Sequence, residues 1–82
     1  MPHKQPATEY GYTVVFEPLQ EGGYSVVVPA IPEIATFGAT LEEARGMAKD
    51  AIRCFLESAL RTGEAIPEDI SAVTTERVAV TL

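Results

Sequence analysis

The alternation of apolar and polar positions predicts three short strands at the start of the chain. Apolar residues alternate weakly in residues 10–16 and form a run in residues 24–28, which favours an antiparallel hairpin with a glycine-rich loop. Pro29 ends the second strand because proline cannot donate to a sheet ladder. A short apolar segment at residues 34–37 is the third predicted strand.

A long helix follows the strands. Thr40 suits the N-cap position and Glu43 stands three residues further on, which is the spacing of a capping box. Gly63 and Pro67 mark the other end. The helix is therefore predicted to run from Leu41 to about Thr62, a length of about 33 Å. The residues predicted to share its inner face are Leu41, Ala44, Ala48, Ala51, Ile52, Phe55 and Ala59, and their many alanines imply close approach to a sheet.

The end of the chain alternates again and predicts a last strand over residues 73–82, with Val78, Val80 and Leu82 on one side. The predicted fold class is α+β: a small antiparallel-type sheet in the order β-β-β-α-β, with one long helix packed on one face. Residues 10–82 form a single domain in this interpretation. Residues 1–9 are expected to be a flexible tail.

The predicted domain is small enough that association would stabilise it. A chain of 82 residues buries only about 60% of its unfolded surface. Strands of about 20 Å are also shorter than the helix, so its last turns are expected to need another partner. We therefore predict a homo-oligomer, a dimer or tetramer. Its contacts are predicted at Val15 and Val27, on the sheet face opposite Val14, Val26 and Val28, and at Leu56 and Leu60 on the helix flank.

Composition narrows the classes of partner. The net charge of −6 repels phosphate backbones and favours a basic protein partner over nucleic acid. No apolar run approaches the length of a membrane span, and the single cysteine excludes an internal disulfide, so a cytoplasmic protein is expected. Cys54 is interpreted as a partly buried structural thiol. Arg45, Lys49 and Arg53 form a basic strip on the helix, which is interpreted as a solvated flank.

Several short motifs resemble one family when they are taken in order. They are residues 12–16, Gly22-Gly23-Tyr24, Val28-Pro29, the Thr-Phe-Gly-x-Thr-Leu-Glu-Glu-Ala of residues 36–44, residues 48–52, and the Gly-Glu-x-Ile-Pro of residues 63–67. Over residues 12–69 the chain resembles the HicB-like antitoxins, whose N-terminal domain is a partial ribonuclease H fold. Members typically continue into a C-terminal DNA-binding domain, whereas the sequence here ends at Leu82. We therefore expect a stand-alone member that neither represses its own operon nor binds nucleic acid directly.

The resemblance implies a protein that neutralises a small basic ribonuclease toxin of the HicA type by covering its active surface. The acidic composition agrees with such a partner, because complementary charge speeds and orients encounter. The candidate contacts lie in the loop after the second predicted strand and at its end. They are Pro29, Ile31, Pro32, Glu33 and Phe37.

The same resemblance raises the question of catalysis. Active ribonuclease H sites hold two divalent metals with clustered carboxylates, one of them from the middle of the first strand. Residues 10–16 contain no carboxylate, and Glu9 and Glu17 only flank them. We therefore expect no enzyme, with no catalytic, metal-binding or cofactor-binding residues and no cofactor. An alternative function stays open: a solitary oligomeric regulatory or small-ligand-binding protein that has lost its toxin partner.

Overall fold

The computed structural model of the chain describes residues 8–71 and 75–82. Three strands, β1 (Val15–Pro18), β2 (Tyr24–Val27) and β3 (Ala35–Gly38), precede one helix, α1 (Leu41–Thr62). The predicted α+β arrangement of three strands followed by a long helix is confirmed. Strand β1 begins later than predicted. Residues 10–14 precede the ladder, and only Val15–Pro18 pair with β2.

The strands form one antiparallel sheet in the order β1-β2-β3. The β1–β2 loop is closed by a hydrogen bond in which the Gly22 amide donates to the Leu19 carbonyl at 3.0 Å. Gly22 and Gly23 have φ angles of 102° and 81°, which side chains with a Cβ rarely adopt. The glycine pair therefore allows the hairpin to close.

Helix α1 has the bounds that the sequence predicts. The Thr40 hydroxyl oxygen accepts a hydrogen bond from the Glu43 amide at 3.1 Å, which satisfies one free donor of the first turn. At the other end Gly63 adopts φ 75°, and its amide donates to the Ala59 carbonyl. Both ends are thus fixed by local chemistry that is readable in the sequence.

The helix lies very close to the sheet at its first turns. A Cβ placed on Gly38 would lie 2.3 Å from the Ala44 nitrogen, so only glycine allows β3 and α1 to approach this far. Ala44 and Ala48 are buried against Val26, which is fully buried in the centre of the sheet. The close approach predicted from the inner-face alanines is confirmed.

The second half of the helix packs on the β2–β3 connection rather than on strands. Val28, Ile31 and Ile34 form a buried cluster against Ile52 and Phe55. Successive turns fold this connection under the helix, because the Ile31 amide donates to Val28 and the Ile34 amide to Ile31. The core therefore extends along the helix well past the end of the short strands.

The chain itself covers more of the helix than the length argument allowed. Leu56 and Ala59 are buried within the single chain, and residues 8–10 border the same open space as Leu56 and Leu60. The prediction that the last turns need another molecule was therefore wrong for Leu56. The strand-length argument ignored the segments that precede β1 and connect β2 to β3.

The predicted last strand does not form within the single chain over residues 75–82. Residues 75–82 have no strand pairing, and Val73 lies in residues 72–74, outside the described part. The side chains of Val78, Val80 and Leu82 are 72%, 75% and 115% exposed. Alternation makes a segment able to join a sheet, but a strand forms only when another edge pairs with it.

Candidate protein-binding surfaces

One face of the sheet is covered by α1 and the other is free of it. We call the free side the outer face; it is formed by Val15, Glu17, Ser25, Val27, Ala35 and Phe37. Val15 and Val27 are register partners, and Val27 in turn pairs with Ala35, so an apolar row crosses all three strands. Each of the two valines is 41% exposed. This confirms the prediction that they face away from the side that carries Val26 and Val28.

Phe37 adds an aromatic ring to the outer face. A Cβ built on Gly23 would lie 2.6 Å from two ring atoms, so the ring is seated directly on the hairpin backbone. Even so, 48% of the residue is exposed. A ring held on one side and open on the other loses little conformational freedom on binding, which suits an interface anchor.

The loop candidates divide into exposed and buried residues. Pro29, Pro32 and Glu33 are exposed. Ile31 is only 1% exposed because it packs with Val28 and Ile34 under the helix. Its side chain holds the loop in place and offers no contact surface in this fold, so its predicted role as a contact needs correction.

Charge is strongly segregated along the chain, a signal that the sequence reasoning missed. Residues 8–44, which comprise the sheet, its connections, the segment before it and the first turn of α1, contain six carboxylates and neither lysine nor arginine. Their formal charge of −6 equals that of the entire chain. Glu17 lies on the outer face itself, and Glu21 and Glu33 are exposed in the two adjoining connections. Counting charge by segment rather than over the whole sequence would have located this acidic stretch of the chain.

A groove lies on the opposite side of the sheet, beneath β1. The helix packs on β2 and β3, and an open space of about 470 Å³ remains beside it. We call this space the β1 groove; its lining residues are Tyr10, Tyr12, Val14, Phe16, Arg45, Ala48, Lys49 and Ile52. Arg45 and Lys49, interpreted above as part of a solvated strip, therefore also line a largely apolar groove.

Hydrogen bonds connect Pro67 and Asp69, after the helix, to Tyr12 and Thr13, just before β1. The Thr13 amide and hydroxyl donate to the two Asp69 carboxylate oxygens at 2.9 and 2.8 Å, and the Tyr12 hydroxyl donates to the Pro67 carbonyl. The Thr13 amide is the main cause that lowers the pKa of Asp69 below its ordinary value. Desolvation raises the pKa of Tyr12.

The four predicted oligomer contacts do not share one surface. Val15 and Val27 lie on the outer face, whereas Leu60, 62% exposed, lies on the helix flank and Leu56 is buried beside it. A single interface with a second copy cannot use all four residues at once. Their role in association stays a prediction for the exposed three.

The structure also bears on the expected chemistry. Within residues 8–71 and 75–82, no three His, Cys, Asp or Glu side chains gather where they could hold a metal ion.

Cys54 is exposed, contrary to the interpretation of a partly buried thiol. At about 100° per residue it lies about 200° around the helix from both Ile52 and Leu56, which face the core. No helix in the described part of the chain is long and apolar enough to cross a membrane.

Comparison with known proteins gives the class of this small acidic domain. Residues 12–80 match the family model described as the HicB_like antitoxin of bacterial toxin-antitoxin systems. The chain therefore belongs to the HicB-like antitoxin family, as its motifs indicated.

Individual relatives agree with this assignment. The chain is 48% identical over 56 residues to Antitoxin HicB 1 of Photorhabdus laumondii and 41% identical over 56 residues to Antitoxin HicB of Escherichia coli. Each alignment covers 68% of this chain but only 36% and 41% of the two relatives, so the chain matches well under half the length of either antitoxin. It is also 43% identical over 58 residues to the UPF0150 protein Ta0767 of Thermoplasma acidophilum, covering 71% of this chain and 84% of that protein.

Proposed function

We propose that this chain is the toxin-binding module of a toxin-antitoxin pair and that it neutralises a small basic HicA-type ribonuclease by covering it, without catalysis of its own. It acts in the cytoplasm and makes no direct contact with nucleic acid. The observation that supports this most is the outer face, where exposed apolar residues lie beside Glu17 in a sheet that lacks basic residues, with Glu21 and Glu33 exposed in its two connections.

The outer face has the composition of an interface centre and rim. Val15, Val27 and Phe37 supply apolar area that water would leave on binding, and Phe37 is the aromatic anchor. Glu17 and Glu33 supply charge at its edge. Because a basic ribonuclease presents cations where it meets RNA, these carboxylates favour the surface of the toxin that has to be blocked.

The exposed part of the β2–β3 loop extends this surface. Pro29 and Pro32 restrict the backbone, and the buried Ile31 fixes the loop to the core, so Glu33 is presented on a rigid support. Rigid presentation lowers the entropy lost on association. The proposed toxin contact therefore consists of Val15, Glu17, Val27, Pro29, Pro32, Glu33 and Phe37.

A second candidate is the solitary regulatory or small-ligand-binding protein left open by the sequence. The observation in its favour is the β1 groove, whose volume of about 470 Å³ and aromatic lining fit the usual range for small molecules. The two functions use opposite sides of the sheet, so variants can separate them.

The test measures binding of a purified basic HicA-type toxin and inhibition of its RNA cleavage. Glu17→Lys combined with Glu33→Lys reverses two charges on the proposed contact. We expect the affinity to fall by about tenfold or more, mainly through slower association that depends on salt. The matched control is Glu57→Lys combined with Glu64→Lys, two exposed carboxylates on the helix and just after it.

The control should bind within about twofold of the unchanged protein, since rim charges away from a contact contribute little. Equal losses in both pairs would indicate general charge attraction and contradict a specific outer-face contact. A wild-type chain that neither binds nor inhibits HicA-type toxins would favour the second candidate.

A further inference from the structure

Within residues 8–71 and 75–82, no strand pairs with the second edge of β1, and open space lies next to that edge. β1 is an edge strand of the sheet, so half of its backbone amides and carbonyls point away from β2. On the helix side, Val14 and Phe16 are only partly buried and border the β1 groove together with Ala48 and Ile52. An edge of this kind accepts a further strand, whose alternate side chains would fill the groove.

Residues 75–82 have the properties of a strand that could pair with this edge. Residues 75–82 are described but unpaired, and Val78, Val80 and Leu82 are at least 72% exposed. In an extended segment these three side chains point to the same face. Three large apolar groups at strand spacing, all left in water, indicate a strand whose partner is missing from the single chain.

We propose that residues 76–82 of one copy add as a strand to the β1 edge of a second copy, with Val78, Val80 and Leu82 entering its β1 groove. The exchange is reciprocal, so two copies related by a twofold axis complete each other's sheets. This assembly does not depend on toxin binding, because it leaves the outer face free.

Another copy suits the edge better than the chain's own end. The Asp69 carboxylate is already held at Thr13, just before β1. Pro18 ends β1 five residues after Thr13, whereas Val78 comes nine residues after Asp69. A segment that ran straight from Asp69 along its own β1, at about 3.3 Å per residue, would pass the end of that strand before Val78 reached it, so pairing of Val78 with its own β1 would require the chain to turn back. In the single chain, the segment is exposed despite being attached nearby.

The β1 groove also continues towards the exposed Leu60. A second open space of about 390 Å³ shares Tyr10, Lys49 and Ile52 with it and runs along the helix to Leu56 and Leu60. Leu60 is 62% exposed at this end. Of the predicted contacts on the helix flank, Leu60 is thus the one placed to meet the added segment, which would give its exposed side chain a partner.

Paired variants of the full chain test the proposal by sedimentation equilibrium. Val78→Asp combined with Val80→Asp places charges on the side that would enter the groove. Ala79→Asp combined with Thr81→Asp places the same charges in the same segment on the opposite side. We expect the wild type to be dimeric, the first pair to raise the dimer dissociation constant by about 100-fold or more, and the second pair to stay within about threefold.

Because all four positions are exposed in the single chain, circular dichroism should show the same helix content in every variant. A wild type that remains monomeric at about 100 µM contradicts the proposal, as do equal losses in both pairs. A second measurement separates exchange from folding back. In a mixture of ¹³C-labelled and unlabelled chains, isotope-filtered nuclear Overhauser effects from the Val80 methyls to the Phe16 ring should be intermolecular. Contacts only within one chain, or none, would contradict the exchange.

Discussion

The two faces of the sheet use the same kinds of residue for opposite purposes. Val26 and Val27 are neighbours in β2, yet Val26 is 0% exposed beneath the helix and Val27 is 41% exposed on the outer face. The inner face is filled by alanines that bring the helix close, whereas the outer face keeps its valines and Phe37 in water. A sheet with one covered face normally alternates apolar and polar residues. Apolar residues on both faces therefore fit the proposed role of the outer face as a contact for another molecule.

Placing a charge on either face should give the largest contrast. Val26→Asp buries a carboxylate in an apolar cluster and should cost about 3–5 kcal/mol, enough to unfold much of a domain of this size. Val27→Asp leaves the carboxylate in contact with water and should cost less than about 1 kcal/mol. Urea denaturation followed by circular dichroism measures both. Similar losses at the two positions would show that the outer face is also core.

A smaller contrast comes from two glycines. Gly38→Ala forces a Cβ against the Ala44 backbone and should cost about 1–3 kcal/mol. Gly46 has open space around it in the middle of α1, so Gly46→Ala should stabilise the chain by about 0.5–1 kcal/mol. Thermal unfolding of the two variants should therefore shift in opposite directions. A stabilised Gly38→Ala variant would show that helix and sheet are further apart than described.

Removing the N-cap of α1 should lower the free energy of unfolding by less than disturbing the packing beneath the helix. Thr40→Ala removes the hydroxyl oxygen that accepts from the Glu43 amide, at a cost of about 1 kcal/mol. Thr40→Ser keeps the acceptor and serves as the control, with an expected change of a few tenths of a kcal/mol. If Ser and Ala were equally destabilising, the methyl group of Thr40 rather than its hydroxyl would be the stabilising part.

The smallest effect should be the pH dependence of the Thr13–Asp69 contact. The folded-state pKa of Asp69 is lowered, chiefly by the Thr13 amide, so its contribution to stability is present above the ordinary aspartate pKa. It is lost as the pH falls through the lowered value. Asp69→Asn should therefore unfold at lower urea than the wild type at about pH 6, and the difference should shrink towards about pH 3. A difference that grows in acid would contradict this sign.

Local rules predicted the helix better than the edges of the fold. The bounds and the inner face of α1 were predictable from Thr40, Gly63 and the alanine positions. Capping and helical periodicity depend only on residues that are close together in the sequence. The alternation around Val15 and Val27 likewise predicted which side of the sheet they occupy. These features need no knowledge of distant segments.

Long-range contacts were the source of the errors. Burial of Ile31 depends on how the β2–β3 connection folds against the helix, and Leu56 is buried without a second molecule; no local pattern states either. The predicted last strand at residues 73–82 failed over residues 75–82 for the same reason, because alternation does not supply a pairing edge. The acidic charge of residues 8–44 was readable from the sequence, but only when charge was counted by segment.

Methyl nuclear magnetic resonance of the valines during titration with a basic HicA-type toxin tests the central claim most directly. If the outer face is the toxin contact, the Val15 and Val27 methyl signals should shift or broaden with saturation, while those of the buried Val26 and Val28 change little. Shifts confined to the buried valines, or to Val14 beside the β1 groove, would contradict the account.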